Sequence, residues 1–290
     1  MKKILSSINS PYDYSRWHPE NILKVFAGKN AIMAITHYGG VESCATGSCC
    51  GIYFDCCESI VDISISKWMP GLAIGLTTTG SAILHRVDTL RTGKWHRTGF
   101  NSFRFFNDRE KLVQVAASDA FFSLSRVGTV DYIAFDSYTE EDYRGVLDWH
   151  NIARIVTGNQ NSVFGITHDG RVFAEGANCR RGPHGDINEY LKDFTDVVDL
   201  APTGSECEMV FLLHRDGSVS DYNGRKIPID AKIKKLDSYF WNSVVGLSTD
   251  NQLIHIVSER NQPGTLIFSE RVSSFAMDGD GHIIAISCDE

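Results

Sequence analysis

The stretch 151–176, NIARIVTGNQNSVFGITHDGRVFAEG, contains three short apolar runs separated by a glycine-rich step and an Asp-Gly turn. Residues 21–47, NILKVFAGKNAIMAITHYGGVESCATG, repeat its skeleton. One column carries the repeat through the chain: Ile35, Leu76, Leu124, Ile166, Leu213, Leu247 and Ile286. Successive steps are 41, 48, 42, 47, 34 and 39 residues, and the step from Ile286 through the termini to Ile35 is again 39. The sequence is thus periodic across its own ends. Repeats of this length are the signature of propellers and solenoids.

Three residues after each anchor comes a turn slot: Tyr38-Gly39, Thr79-Gly80, Val127-Gly128, Asp169-Gly170, Asp216-Gly217, Asp250-Asn251 and Asp289-Glu290. Glycine or asparagine in six of the seven second positions suits a hairpin turn that needs positive φ. Apolar residues follow at Val41, Val130, Val172, Val219 and Leu253, which gives strand, tight turn, strand. The residue before the anchor is small in six repeats (Ala34, Gly75, Ser123, Gly165, Gly246, Ala285) and is Leu212 in the other. Backbone crowding near a propeller axis would favour small residues, so these strands are expected to be innermost. Upstream lies a further strand with the apolar pairs Ile22/Val25, Ile60/Ile63, Leu112/Val115, Ile152/Ile155, Val197/Leu200, Ile233/Leu236 and Val272/Phe275.

Seven β-rich units and circular closure predict an all-β fold: a seven-bladed β-propeller forming a single domain over 1–290. Residues 2–7, KKILSS, supply the strand that completes the last blade, a closure that removes open sheet edges. Three or four strands per blade both fit. Residues 185–196 suit one helical turn or a loop, and the acidic run 136–148 a surface connection.

The motif residues Gly158, Gly165, Ile166, Asp169, Gly170, Val172, Ala174, Gly176 and Asn178 resemble the repeat of the regulator of chromosome condensation family. The other repeats keep parts of the pattern. No Gly-His and Trp-Asp signature of the tryptophan-aspartate propellers is present. The compact blades are similar to the bacterial branch of the family, which includes propellers that inhibit β-lactamases through aromatic loops on one face. The resemblance implies a protein partner. The eukaryotic exchange factor of the family uses a protruding β-wedge on its GTPase, and the comparably long stretch here, 83–111, carries no residue pattern that identifies one.

Composition narrows the function. No run approaches 18 apolar residues, so no membrane helix is expected. The start, MKKILSSINS, has the lysines of a signal peptide, but its apolar stretch is broken by serines and an asparagine, so the protein reads as cytoplasmic. A net charge of −8 argues against general nucleic-acid binding. No nucleophile elbow, P-loop or paired-histidine motif is present, and no enzyme or cofactor is expected.

Three sets of residues are candidates for a role. Loops before the anchor strands carry Trp68, Met69, Phe121, Tyr239, Phe240 and Trp241, large side chains of the kind that anchor protein interfaces. The segment 85–111 has seven Lys or Arg against three acids, with Arg86, Arg91, Lys94, Arg97 and Arg104 among interleaved aromatics. It fits either a solvated outer strand or, as the alternative function, the contact surface of an exchange or chromatin-associated factor. Cysteines crowd 44–57 (Cys44, Cys49, Cys50, Cys56, Cys57), but their spacing matches no zinc knuckle, so no metal is assigned. The reading is a non-enzymatic protein-binding propeller, monomeric or part of a larger complex; a small ligand in the central channel is the third option.

Overall fold

Ile22 and Val25 lie three apart in a strand, which by simple alternation would place them on opposite faces. In the computed structural model both sit in one buried cluster, because the pairing register slips by one residue between Ile22 and Lys24. The same bulge recurs at the same place in every unit, between the first and third residues of the upstream strand. One extra residue re-aims the side chains that follow it. All seven apolar pairs therefore face a single core each. The structure describes residues 1–7, 10–46, 59–86, 111–134, 137–158, 161–181, 185–204, 209–239, 243–257 and 262–289.

Each unit is a three-stranded antiparallel blade. The inner strands are Ile22–Gly28, Ile60–Ile65, Leu112–Ala117, Ile152–Thr157, Val197–Thr203, Ile233–Tyr239 and Val272–Met277, for blades 1 to 7 in order. The middle strands are Ala31–Thr36, Leu72–Thr77, Phe121–Ser125, Val163–Thr167, Met209–His214, Ser243–Ser248 and Ile283–Ser287. Six outer strands follow in sequence (Val41–Ala45, Ala82–Arg86, Val130–Ile133, Val172–Glu175, Val219–Asp221, Leu253–Val257). The seventh, Ile4–Ser6, comes from the N-terminus and pairs with Ile284–Ile286, closing the ring. Inner strands touch in the cyclic order of the blades, including blade 7 against blade 1. Each of the seven apolar clusters lies between two neighbouring blades.

The anchor column belongs to the middle strands, not the innermost ones. Its small residues answer a different crowding: Gly165 pairs with Ile155, and a Cβ there would lie 2.7 Å from the Trp149 ring. Gly246 likewise leaves room for Ile256 and Ile233. Small size beside the inner strand admits large side chains between blades.

The turn slot fastens each blade to the next. Gly39, Gly80, Gly128, Gly170 and Gly217 have φ between 77° and 86°, and Asn251 has 67°. The carbonyl of each accepts the N–H of the first inner-strand residue of the following blade, Ile60, Leu112, Ile152, Val197, Ile233 and Val272 respectively, at 2.7–3.1 Å. Outside the blades, Ser137–Tyr143 and Asn188–Leu191 are short helices. The acidic connection is more than a surface link, since Tyr143 and Val146 are fully buried between blades 3 and 4.

Candidate functional site

The loops that join inner to middle strands gather at one mouth of the central channel. Residues 66–71 of blade 2 form one that is described throughout. The Ser66 hydroxyl accepts the N–H groups of Trp68 (3.2 Å) and Met69 (2.8 Å), fixing the turn. Lys67 then crosses the mouth to blade 6, where its ammonium binds the Asp237 carboxylate and the Ser238 carbonyl. Gly279 of blade 7 lies against the Lys67 carbonyl, at a spot where a Cβ would collide with it. The Lys29 N–H of blade 1 donates to the Ser66 carbonyl at 2.7 Å. Four blades thus hold one loop.

Trp68 stands on that loop with 38% of its surface exposed. Met69 is half-buried against the cluster between blades 2 and 3. Tyr239, at the end of the blade 6 inner strand, is half-buried, and Gly281 of blade 7 approaches its ring so closely that a Cβ would lie 3.0 Å away. The Lys67 bridge to Ser238 brings the loops of Trp68 and Tyr239 to the same mouth. Phe121 does not join them. It is 1% exposed, the first residue of a middle strand, and fills the core between blades 2 and 3. Phe240 and Trp241 lie outside the described residues, as do Arg91, Lys94, Arg97 and Arg104; Arg86 ends a blade 2 strand whose last side chains are not described. Cys49, Cys50, Cys56 and Cys57 also lie outside, and Cys44 is a free, partly buried thiol donating to the Asp13 carbonyl at 3.3 Å. Among the described residues no group of His, Cys, Asp or Glu is arranged to hold a metal, and no helix is long and apolar enough to cross a membrane.

The channel itself was not singled out residue by residue in the sequence. It has a volume of about 980 Å³ and is lined by inner strands of all seven blades. The third residue of each inner strand, the one released by the bulge, is polar throughout: Lys24, Asp62, Gln114, Arg154, Asp199, Lys235 and Ser274. Several of these reach the next blade in one repeating manner. Gln114 donates to the Ile155 carbonyl (2.7 Å) and accepts the Ile155 N–H (2.8 Å). Asp199 accepts the Leu236 N–H at 3.1 Å, and Ser274 accepts the Val25 N–H at 3.1 Å. Lys235 donates to the Phe275 carbonyl at 3.1 Å and lies 4.7 Å above the Phe275 ring.

Burial sets the electrostatics of this ring. Desolvation lowers the pKa of Lys235 although Asp237 and Asp199 favour its charge. Desolvation also raises the pKa of Asp62, against the opposing pull of Lys24, Lys235 and Arg154. Arg154 pairs with Asp199 at 2.9 Å, while its Nε has no acceptor among the described residues. A sequence signal existed for the ring, because the residue before the second member of every apolar pair is polar.

Comparison with solved structures gives the fold a family likeness. Prp20p of Saccharomyces cerevisiae, described with its binding to Gsp1p and histones, superposes with a TM-score of 0.67 at 11% identity, covering 93% of this chain and 83% of that one. The fold is that of the RCC1 propellers. Human WBSCR16 gives a TM-score of 0.65 at 10% identity, with 93% and 87% coverage. The CRINKLY ectodomain of the Arabidopsis thaliana receptor kinase ACR4 gives 0.55 at 13%, with 90% and 84%. No family model and no curated protein matches the sequence. Relatives this distant share architecture with the chain, and seven three-stranded blades agree with it.

Proposed function

We propose that this chain is a non-enzymatic, cytoplasmic protein-binding propeller that takes its partner on the mouth carrying Trp68. Met69, Tyr239, Phe240 and Trp241 complete the anchor set. The observation that supports the reading is an exposed tryptophan on a loop tied down from four blades. A preordered aromatic loses little entropy on binding, and tryptophan dominates interface hot spots. Prp20p, the yeast RCC1 propeller, is described with Gsp1p and histones and bound to Kap60, which supports a binding role of this general kind.

The test places a photo-crosslinking residue at Pro70, exposed on the same loop as Trp68, and, as a control, at Val127, which is 64% exposed on the opposite face. A partner that crosslinks from position 70, does not crosslink from 127, and is lost when Trp68→Ala/Trp241→Ala is added fits the proposal. The melt of the Trp68→Ala single variant should stay within about 2 °C of the parent, since substitutions at exposed sites shift stability by roughly 0.5 kcal/mol. Equal crosslinking from both mouths, or collapse of the fold on losing Trp68, would overturn it.

A further inference from the structure

The ring of polar side chains in the channel holds more cationic charge than its own carboxylates occupy. Gln114 and Ser274 are committed to backbone groups of the next blade. Asp199 is saturated, with Oδ1 accepting Arg154 Nη2 and the Leu200 N–H and Oδ2 accepting the Leu236 N–H. At the mouth, Asp237 is saturated by Lys67 and by the N–H groups of Ser238 and Met277. Asp62 remains; it lines the same channel as Lys24, Arg154 and Lys235, which occupy the equivalent strand position in blades 1, 4 and 6 and favour its charged form. Lys24 is exposed within the channel wall and makes no hydrogen bond or ion pair with any described residue. Lys235 donates to a backbone carbonyl, lies over an aromatic face and makes no ion pair among the described residues, although Asp237 and Asp199 favour its charge, and the Arg154 Nε has no acceptor among those residues.

We propose that the channel binds a small oxyanion, the phosphate or carboxylate group of a low-molecular-weight ligand, between Lys24, Arg154 and Lys235. Three cations lining one channel from three blades leave a net positive charge after Asp199 and Asp62 are counted. Ionised donors to an oxyanion make short, strong hydrogen bonds. The volume of about 980 Å³ lies within the range of small-molecule sites. Lys67 spans one mouth, so the ligand enters from the other, where the inner strands begin. Among the described residues Asp62 is the ring carboxylate that makes no ion pair, so its charge opposes the ligand most directly.

The experiment is isothermal titration of the full chain with inorganic phosphate and, separately, with citrate, at ionic strength held constant with chloride. Saturable binding of one ligand per chain is expected for at least one of the two probes, and the tighter one distinguishes a phosphate from a carboxylate ligand. Lys24→Gln, which breaks no hydrogen bond among the described residues and removes one positive charge near Asp62, should weaken that binding roughly tenfold or more, the worth of one charge-assisted hydrogen bond. Asp62→Asn, equal in shape, should strengthen it several-fold. Opposite signs at two positions of one channel cannot come from a general loss of structure. Absence of saturable heat with both probes, or equal affinity in Lys24→Gln and the parent, would overturn the proposal.

Discussion

Gly170 tests whether the blades are fastened at the turn slot. Its φ is +86°, and a Cβ built there would lie 2.7 Å from the Thr195 carbonyl oxygen and 2.8 Å from the Asp196 Cα and the Val197 nitrogen. These are backbone atoms of the neighbouring blade, so no side chain can swing aside. Gly170→Ala pays about 1–2 kcal/mol for the left-handed conformation. Relief of the clash must push blade 5 away and lengthen the 3.1 Å bond from the Val197 N–H to the Gly170 carbonyl, costing about 1 kcal/mol more. The total is about 2–3 kcal/mol, which for a chain of this size lowers Tm by roughly 4–6 °C. Gly264 supplies the comparison: its φ is +85°, but nothing lies within 4 Å of the added Cβ. Gly264→Ala should therefore cost only the conformational part, about 1 kcal/mol and roughly 2 °C less than Gly170→Ala. Gly170→Asn should remain as unstable as a clash alone requires, because asparagine eases the φ and not the contact. Urea denaturation followed by tryptophan fluorescence measures all three. Equal losses for Gly170→Ala and Gly264→Ala would refute the inter-blade role and leave only backbone conformation.

Two further changes probe the channel. Lys67→Ala removes a bridge whose side chains are only 18% and 20% exposed, a loss of about 2 kcal/mol; hydrogen exchange should quicken at 66–72 and 278–282, and unchanged protection there would show that the bridge does not hold the mouth. Asp62→Asn should raise stability at pH 7, because burial lifts the pKa of the folded carboxyl and its charged form is disfavoured above that pKa. The advantage fades as pH falls through the carboxylate range, where the parent protonates; a difference in urea midpoint that stays constant from pH 7 to pH 3 would contradict the burial argument.

The fold was legible because its signals repeat. Turn residues from Gly39 to Asn251 and seven apolar pairs declare themselves in one chain, since each unit must solve the same turn and bury the same face. What the pattern conceals is depth. The small column at Gly165 and Gly246 reads equally well as axial crowding or as space for Trp149 and Ile256, and only the strand order within the blade decides between them. The site was legible in part. Trp68 and Phe121 are both aromatics ahead of an anchor, yet Phe121 stands three residues before Leu124 and is already in the strand, whereas Trp68 stands eight before Leu76 on a loop long enough to leave the blade. Distance from the anchor separates them physically. The Lys67 crossing joins residues 170 positions apart and has no local signature.

The closing strand has a mechanical consequence. Ile4 pairs with Ile286 and Ser6 with Ile284, so residues 3 and 288 emerge side by side at the same end of the seam. A load applied between them peels the Ile4–Ser6 strand away one hydrogen bond at a time, where a shearing pull would strain the whole ladder together. A three-residue strand offers few such bonds, and its release uncovers the middle strand of blade 7 along its length. The ring is therefore weak to tension at one seam, as a belt is at its buckle.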